Sequence, residues 1–245
     1  MSEKLGPSSA RHPVGPTGDV EAPLSISEVG DLVRLIGKAS RTGRFLLGLT
    51  GAPGAGKTTV AEALVAALGD SAVHVPMDGY HLSDEALVRL GRRDRKGAPD
   101  TFDARGYAQL LDRIRHDTDH TIYAPAFSRV IEQPVAGSIA IEPHHRTVVS
   151  EGNYLLLDDG GWAGVADHFD AIWFLQTDQQ LRQDRVVRRH IEFGKAPDLA
   201  RSWVDAVDEQ NARLVQGTRA HADLIVDVTR LTLTPARPGP GSYQS

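Results

Sequence analysis

The run Gly51-Ala52-Pro53-Gly54-Ala55-Gly56-Lys57-Thr58 has the spacing G-x-x-x-x-G-K-[ST] and falls between an apolar stretch and a helical pattern. Glycine reaches backbone conformations closed to other residues, so such a loop can turn successive N–H groups around phosphate oxygens at a helix N-terminus. Lys57 would meet the β and γ phosphates of ATP, Thr58 would place its hydroxyl on Mg²⁺, and Thr59 ends the stretch expected to hold the nucleotide. An acceptor hydroxyl needs a carboxylate to orient it and take its proton. Asp78 follows a strand ending at Pro76, and Gly79 beside it would leave room for a close ligand; its competing role is to cap the next turn. Glu151, followed by Gly152, stands in the same relation to a strand over Thr147 to Ser150. It would hold Mg²⁺ through water, contact the acceptor, or cap its own strand.

These groups need elements that bring them to one edge. Ser25 and Glu28 have capping-box spacing before a helical stripe of Ile26, Val29, Leu32, Val33 and Ile36. Phe45 to Thr50 reads as a strand buried on both faces, and the next helix carries Val60, Leu64, Val65 and Leu68. Ala72–Pro76, Thr147–Ser150, Ala171–Gln176 and Leu224–Val228 read as further strands, with helices between them, one bearing Tyr107, Leu110, Leu111 and Ile114. Strand and helix alternate throughout, which predicts an α/β three-layer sandwich: a mostly parallel sheet with helices on both faces and ligands beyond the carboxyl ends of the strands. Thr177 is placed to cap a helix on which Arg182, Arg185 and Arg189 form a stripe. On a solvated face those arginines would pair with Asp184 and Glu192.

The chain of 245 residues is 40% apolar, enough for one globular unit. Residues 25–234 form the expected domain, after a disordered leader over 1–24 and before a tail over 235–245. A net charge of −5 argues against a dedicated nucleic-acid binder. With no cysteine and no membrane-length apolar run, a reducing, cytoplasmic setting fits. No Asn-Lys-x-Asp guanine reader and no Leu-Ser-Gly-Gly-Gln signature occurs, which excludes the GTPase and transporter ATPase classes.

The ordered blocks Asp78-Gly79-Tyr80, Lys96-Gly97-Ala98-Pro99 with Phe102-Asp103, Ala124 to Arg129, and Glu151-Gly152-Asn153-Tyr154 follow the phosphate loop. In this the chain resembles the P-loop kinases that include uridine kinase, phosphoribulokinase and type I pantothenate kinase, over about Arg44 to Val228. Phe127-Ser128-Arg129 departs from the Tyr-Ser-His usual in pantothenate kinases. The pattern is similar to a shorter branch described as nucleoside/nucleotide kinase-like or fructose-transport-associated kinases.

The resemblance implies a P-loop NTPase fold and transfer of the γ-phosphate of Mg²⁺-ATP to a hydroxyl of a small nucleoside-, pantothenate- or sugar-like metabolite. It makes Lys57, Asp78, Arg185 and Arg189 the catalytic set, with a small helical lid at about 185–205 that closes over ATP. Asp78, Tyr80, His81, Arg129, Glu151, Asn153 and Tyr154 become the acceptor pocket, and Thr58 and Glu151 the metal ligands. A guanidinium at Arg129 suits an anionic acceptor. A homodimer is left open, and neither nucleic acid nor membrane is expected as a partner. The alternative is a non-catalytic, ATP-binding regulatory protein, which would keep the loop and tolerate loss of Asp78.

Overall fold

The computed structural model describes residues 24–231 except 26 and 40–42; the tail and, apart from Leu24, the leader lie outside the described residues. The main sheet has the order β1-β8-β7-β2-β6-β3, with every neighbouring pair parallel. Its strands are β1 (Leu24–Ser25), β2 (Phe45–Thr50), β3 (Ala72–Pro76), β6 (Thr147–Glu151), β7 (Ala171–Gln176) and β8 (Leu224–Asp227). The helices are α1 (Val29–Ala39), α2 (Lys57–Leu68), α3 (Asp84–Arg89), α4 (Ala104–His116), α5 (Gln179–Glu192), α6 (Pro197–Trp203) and α7 (Glu209–Gly217). Every residue of β2 is buried, as a central parallel strand requires. Leu46 joins a core with Tyr107, Leu111 and Ile114 of α4, while Leu47 and Leu49 join another with Leu32 of α1 and Val60 and Leu64 of α2. Period-two alternation along one strand thus feeds both helical layers.

Register fixes the functional edge. Leu49 of β2 and Pro76 of β3 both lie opposite Glu151 of β6, so the three strands end together. The glycine loop, the turn bearing Asp78 and the Glu151 side chain leave from that edge.

Three expectations need correction. Ser25 does not begin a helix: Leu24 and Ser25 pair with Val226 and Asp227, the backbone enters α1 only at Val29, and Ile26 lies outside the described residues. Alternation of strand and helix also fails between α4 and β6. There β4 (Ile122–Ser128) and β5 (Gln133–Ile141) form an antiparallel hairpin outside the main sheet. Pro125 sits where its register shifts, and Pro134 and Gly137 interrupt the pattern a strand would show. Finally, Asp178 and not Thr177 caps α5, its carboxylate accepting from the Leu181 N–H at 2.9 Å. Among the described residues no helix is long and apolar enough to cross a membrane.

Candidate active site

Gly54 and Gly56 have φ of 82° and 93°, in the left-handed region that favours glycine. A Cβ on Gly51 would stand 2.3 Å from the Leu175 carbonyl oxygen, and one on Gly54 2.5 Å from that of Arg182. The loop is therefore shaped by packing on β7 and α5 as well as by backbone freedom. Arg182 braces it from behind, donating to the Pro53 carbonyl at 3.1 Å and pairing with Glu209 at 2.6 Å. Lys57 is buried, and its ammonium donates to the carbonyls of Gly51 at 2.8 Å and Ala52 at 3.2 Å. Burial lowers its pKa to about 8, partly opposed by the charges of Glu151 and Asp78.

The two carboxylates differ. Glu151 is buried and accepts a hydrogen bond from the Thr58 hydroxyl at 2.9 Å; burial and the nearby Asp78 charge raise its pKa to about 7. Asp78, in the turn after β3, has 37% of its side chain exposed. Among the described residues its carboxylate accepts no hydrogen bond; its approach to His81 Nδ1 is 4.0 Å. His81 Nδ1 instead lies 2.9 Å from the Asp78 carbonyl. The turn-capping role weighed for the Asp78 side chain is thus not what the geometry displays.

The glycines beside these carboxylates serve packing, a correction to the space for ligand expected at Gly79. A Cβ on Gly79 would stand 2.3 Å from the Pro125 carbonyl, and one on Gly152 2.5 Å from the Met77 sulfur. The hairpin and the two strand ends close on one another there.

A cavity of about 1110 Å³ opens over this edge. It is lined by Pro53, Gly54, Gly56, Lys57, Thr58, Thr59, Asp78, His81, Arg129, Glu151, Asn153, Arg185 and Arg189 among the expected residues. Gly51, Ala52 and Ala55 of the same loop are buried and do not line the cavity. Tyr80 and Tyr154 are not on the cavity. Tyr80 packs edge-on against Tyr107 at 5.5 Å. Tyr154 is buried between Phe102 and Trp162, its hydroxyl donating to the Gly97 carbonyl. Both rings buttress the wall, and burial raises both phenols, Tyr80 to about 12.

The far wall joins His81 and the Lys96 and Phe127 blocks to residues for which no individual role was expected, Asp84, His190, Lys195 and Trp203. Lys96 donates to Asp84 and to the Glu132 carbonyl, both at 2.7 Å, tying α3 to the hairpin tip, with its ammonium 5.4 Å from the Phe127 ring centre. His81 stacks between Phe102 and Phe127 at 4.0 and 4.8 Å. His190 of α5 meets Asp208 at 2.8 Å, and Lys195 lies over Trp203 at 4.8 Å. The sequence signals for this wall are the Lys96-Gly97 and Phe127-Ser128-Arg129 blocks, His81 and the lid expected at about 185–205. Arg129 lies over Phe193 at 5.4 Å. Among the described residues Arg129, Arg185 and Arg189 make no ion pair, and the expected partner Asp184 accepts instead from Gln180.

His74 of β3 lies behind Glu151, its Nε2 3.8 Å from Oε1. Burial holds this imidazole neutral, with a pKa of about 4.

A buried lysine in a glycine loop, facing two acidic strand ends, is a phosphate-binding arrangement, and comparison with known proteins agrees. The model of the Phosphoribulokinase / Uridine kinase family matches residues 46–235. The chain belongs to this family. A candidate uridine kinase of Schizosaccharomyces pombe is 33% identical over 199 residues, 77% of this chain and 85% of that protein. Among solved structures, a candidate fructose transport system kinase from Silicibacter sp. TM1040 has a TM-score of 0.74 at 34% identity, covering 80% of this chain and 98% of that one. A kinase fold with a circular permutation, YFH7 from Saccharomyces cerevisiae, has a TM-score of 0.70 at 19% identity over 82% of this chain and 97% of its own, a likeness of fold alone. This phosphoribulokinase/uridine kinase family member thus has the α/β P-loop NTPase fold.

Proposed function

We propose that the chain is an ATP-dependent kinase that transfers the γ-phosphate to a hydroxyl of a small metabolite. The observation that carries this reading is the Asp78 carboxylate, which accepts no hydrogen bond among the described residues and opens into the same cavity as Lys57 and the glycine loop. A regulatory nucleotide binder would have no use for such a group.

The donor set fits Mg²⁺-ATP. Among the described residues no cluster of three acids or histidines could hold a metal by protein ligands alone. Mg²⁺ commonly keeps waters and substrate phosphates, with one or two protein oxygens, and the bonded pair of Thr58 and Glu151 would serve that purpose. When bound, Mg²⁺-ATP supplies the phosphoryl group and the ADP leaving group. Lys57 and the loop N–H groups hold the β and γ phosphates, and Arg185 and Arg189 meet the charge that spreads over the transferring group. Asp78 orients the acceptor hydroxyl and takes its proton as the oxygen–phosphorus bond forms and the bond to the bridging oxygen of ADP breaks.

Arg129, which makes no ion pair among the described residues and faces the cavity, favours an acceptor carrying a carboxylate or phosphate. His81, Asn153 and Glu151 complete its pocket. The segment 185–205 acts as the lid of a domain spanning about 25–234, and the lack of cysteine suits a cytoplasmic setting.

The test is a screen of small alcohols with γ-labelled ATP, read by mass spectrometry, followed by Asp78→Asn on the product found. Asp78→Asn should bind ATP normally while transfer falls about 10²- to 10⁴-fold. Transfer at the parental rate would remove Asp78 from the mechanism. A screen without any product, in protein that binds ATP, would favour the regulatory alternative.

A further inference from the structure

His74 occupies a position that strand packing alone does not explain. It lies opposite Val149 in the β3–β6 pairing, two residues before the position facing Glu151. Its side chain is therefore a same-face diagonal neighbour of Glu151. Val73 and Val75, on the opposite face, pack into the core beneath α4. His74 turns the other way, and its Nε2 is fully enclosed without a hydrogen-bond partner among the described residues. Leaving an enclosed nitrogen unbonded costs about 1–3 kcal/mol, a penalty valine or leucine would avoid on this strand.

The polar atom it approaches is Glu151 Oε1, at 3.8 Å, and the same oxygen accepts the Thr58 hydroxyl at 2.9 Å. Oε1 thus has the Thr58 hydroxyl of α2 bonded to it and His74 Nε2 of β3 beside it, and among the described residues no hydrogen bond reaches Oε2. A shift of less than about 1 Å would bring Nε2–H within hydrogen-bond range of Oε1.

We propose that His74 is a positioning residue for Glu151: its Nε2–H holds Oε1 when Thr58 turns its hydroxyl oxygen to Mg²⁺, so that Oε2 stays aimed at the metal's water or the acceptor. This role rests on the kinase reading above. Orienting partners behind a metal-binding carboxylate typically change metal affinity 10- to 100-fold when removed.

The test uses the full chain with His74→Leu and His74→Gln, each in the parental and Glu151→Gln backgrounds. Calorimetry of ATP binding across a Mg²⁺ series gives the Mg²⁺ concentration for half-maximal binding, and thermal unfolding reports the fold. His74→Leu should keep the parental melting temperature or raise it, yet need about 10-fold more Mg²⁺. His74→Gln, whose amide can donate, should restore most of that loss. In the Glu151→Gln background His74→Leu should change nothing, because the carboxylate it serves is gone. An unchanged Mg²⁺ requirement, or the same loss in both backgrounds, would overturn the role while leaving the kinase reading intact. ATP binding by the parent without any dependence on Mg²⁺ would overturn both. If His74→Leu does not fold, His74→Val, smaller and suited to a strand, carries the same comparison.

Discussion

At the phosphate end of the cavity, Lys57 and Glu151 are buried and each is bonded to protein: the ammonium to two loop carbonyls, the carboxylate to Thr58. At the opposite wall, Arg129 and Lys195 lie against the faces of Phe193 and Trp203. The first region is set by hydrogen bonds and positive-φ glycines, which tolerate little movement. The second is set by cation–π contacts worth about 0.5–1 kcal/mol each at exposed sites, which a ligand can replace at small cost. On the kinase reading proposed above, the first end would receive the same phosphates each time and the second would close around a changing acceptor.

The sharpest way to break that contrast is at Lys57. Lys57→Ala removes the cation that neutralises β/γ charge, so turnover should fall at least about 10³-fold. The fold should survive within about 1 kcal/mol, because the ammonium is costly to bury and its loss offsets the two carbonyl bonds it leaves. Steady-state assay with a verified acceptor and urea unfolding check both. Substantial residual turnover would mean that the phosphate end does not depend on its fixed cation.

The same contrast explains what could be read from the residues alone. The glycine loop and the strand ends bearing Asp78 and Glu151 were legible because local sequence dictates them: a buried strand, then glycines, then a helix start. The hairpin Ile122–Ile141 was not, because its register is set by a shift at Pro125 and by close packing on Gly79, a contact across the fold. Tyr80 and Tyr154 looked like pocket residues since each neighbours one, yet their side chains point into the wall. His74 was invisible for a similar reason: its meaning lies in a cross-strand diagonal to Glu151.

A second test turns on pH. Glu151 has a folded pKa of about 7 against its usual 4.5, so between those values the folded protein holds a proton that the unfolded chain releases. Its contribution to stability is present below about pH 4.5 and lost as pH rises to about 7, a change on the order of 3 kcal/mol. Lys57 has the opposite sign: between about 8 and 10.5 the unfolded chain holds the extra proton, so its contribution rises with pH. Metal-free protein should therefore be least stable near pH 7–8 with respect to these two groups. Urea unfolding of the parent and of Glu151→Gln, in chelator from pH 4.5 to 8, should differ in slope over pH 4.5 to 7. Parallel curves would mean that Glu151 is ionised in the folded protein, and that the phosphate end is less enclosed than its geometry indicates.

The smallest effects are expected at the wall bearing Arg129 and Phe193, where the kinase reading puts the acceptor. If Arg129 pairs with an anionic group on the acceptor, Arg129→Ala removes a charge-assisted bond of about 1.5–3 kcal/mol, and the acceptor KM should rise about 10- to 100-fold while the KM for ATP stays put. Phe193 lines the same cavity, with the Arg129 guanidinium 5.4 Å from its ring centre, and its proposed part is to hold that cation in place. Phe193→Leu keeps the apolar bulk and loses the ring, so it should raise the same KM about 2- to 5-fold. In an Arg129→Ala background Phe193→Leu should add nothing, since the contact it supplies has gone. Equal losses for ATP and acceptor would place Arg129 among the phosphate ligands, and the separation of the cavity into a fixed end and an adaptable end would fail.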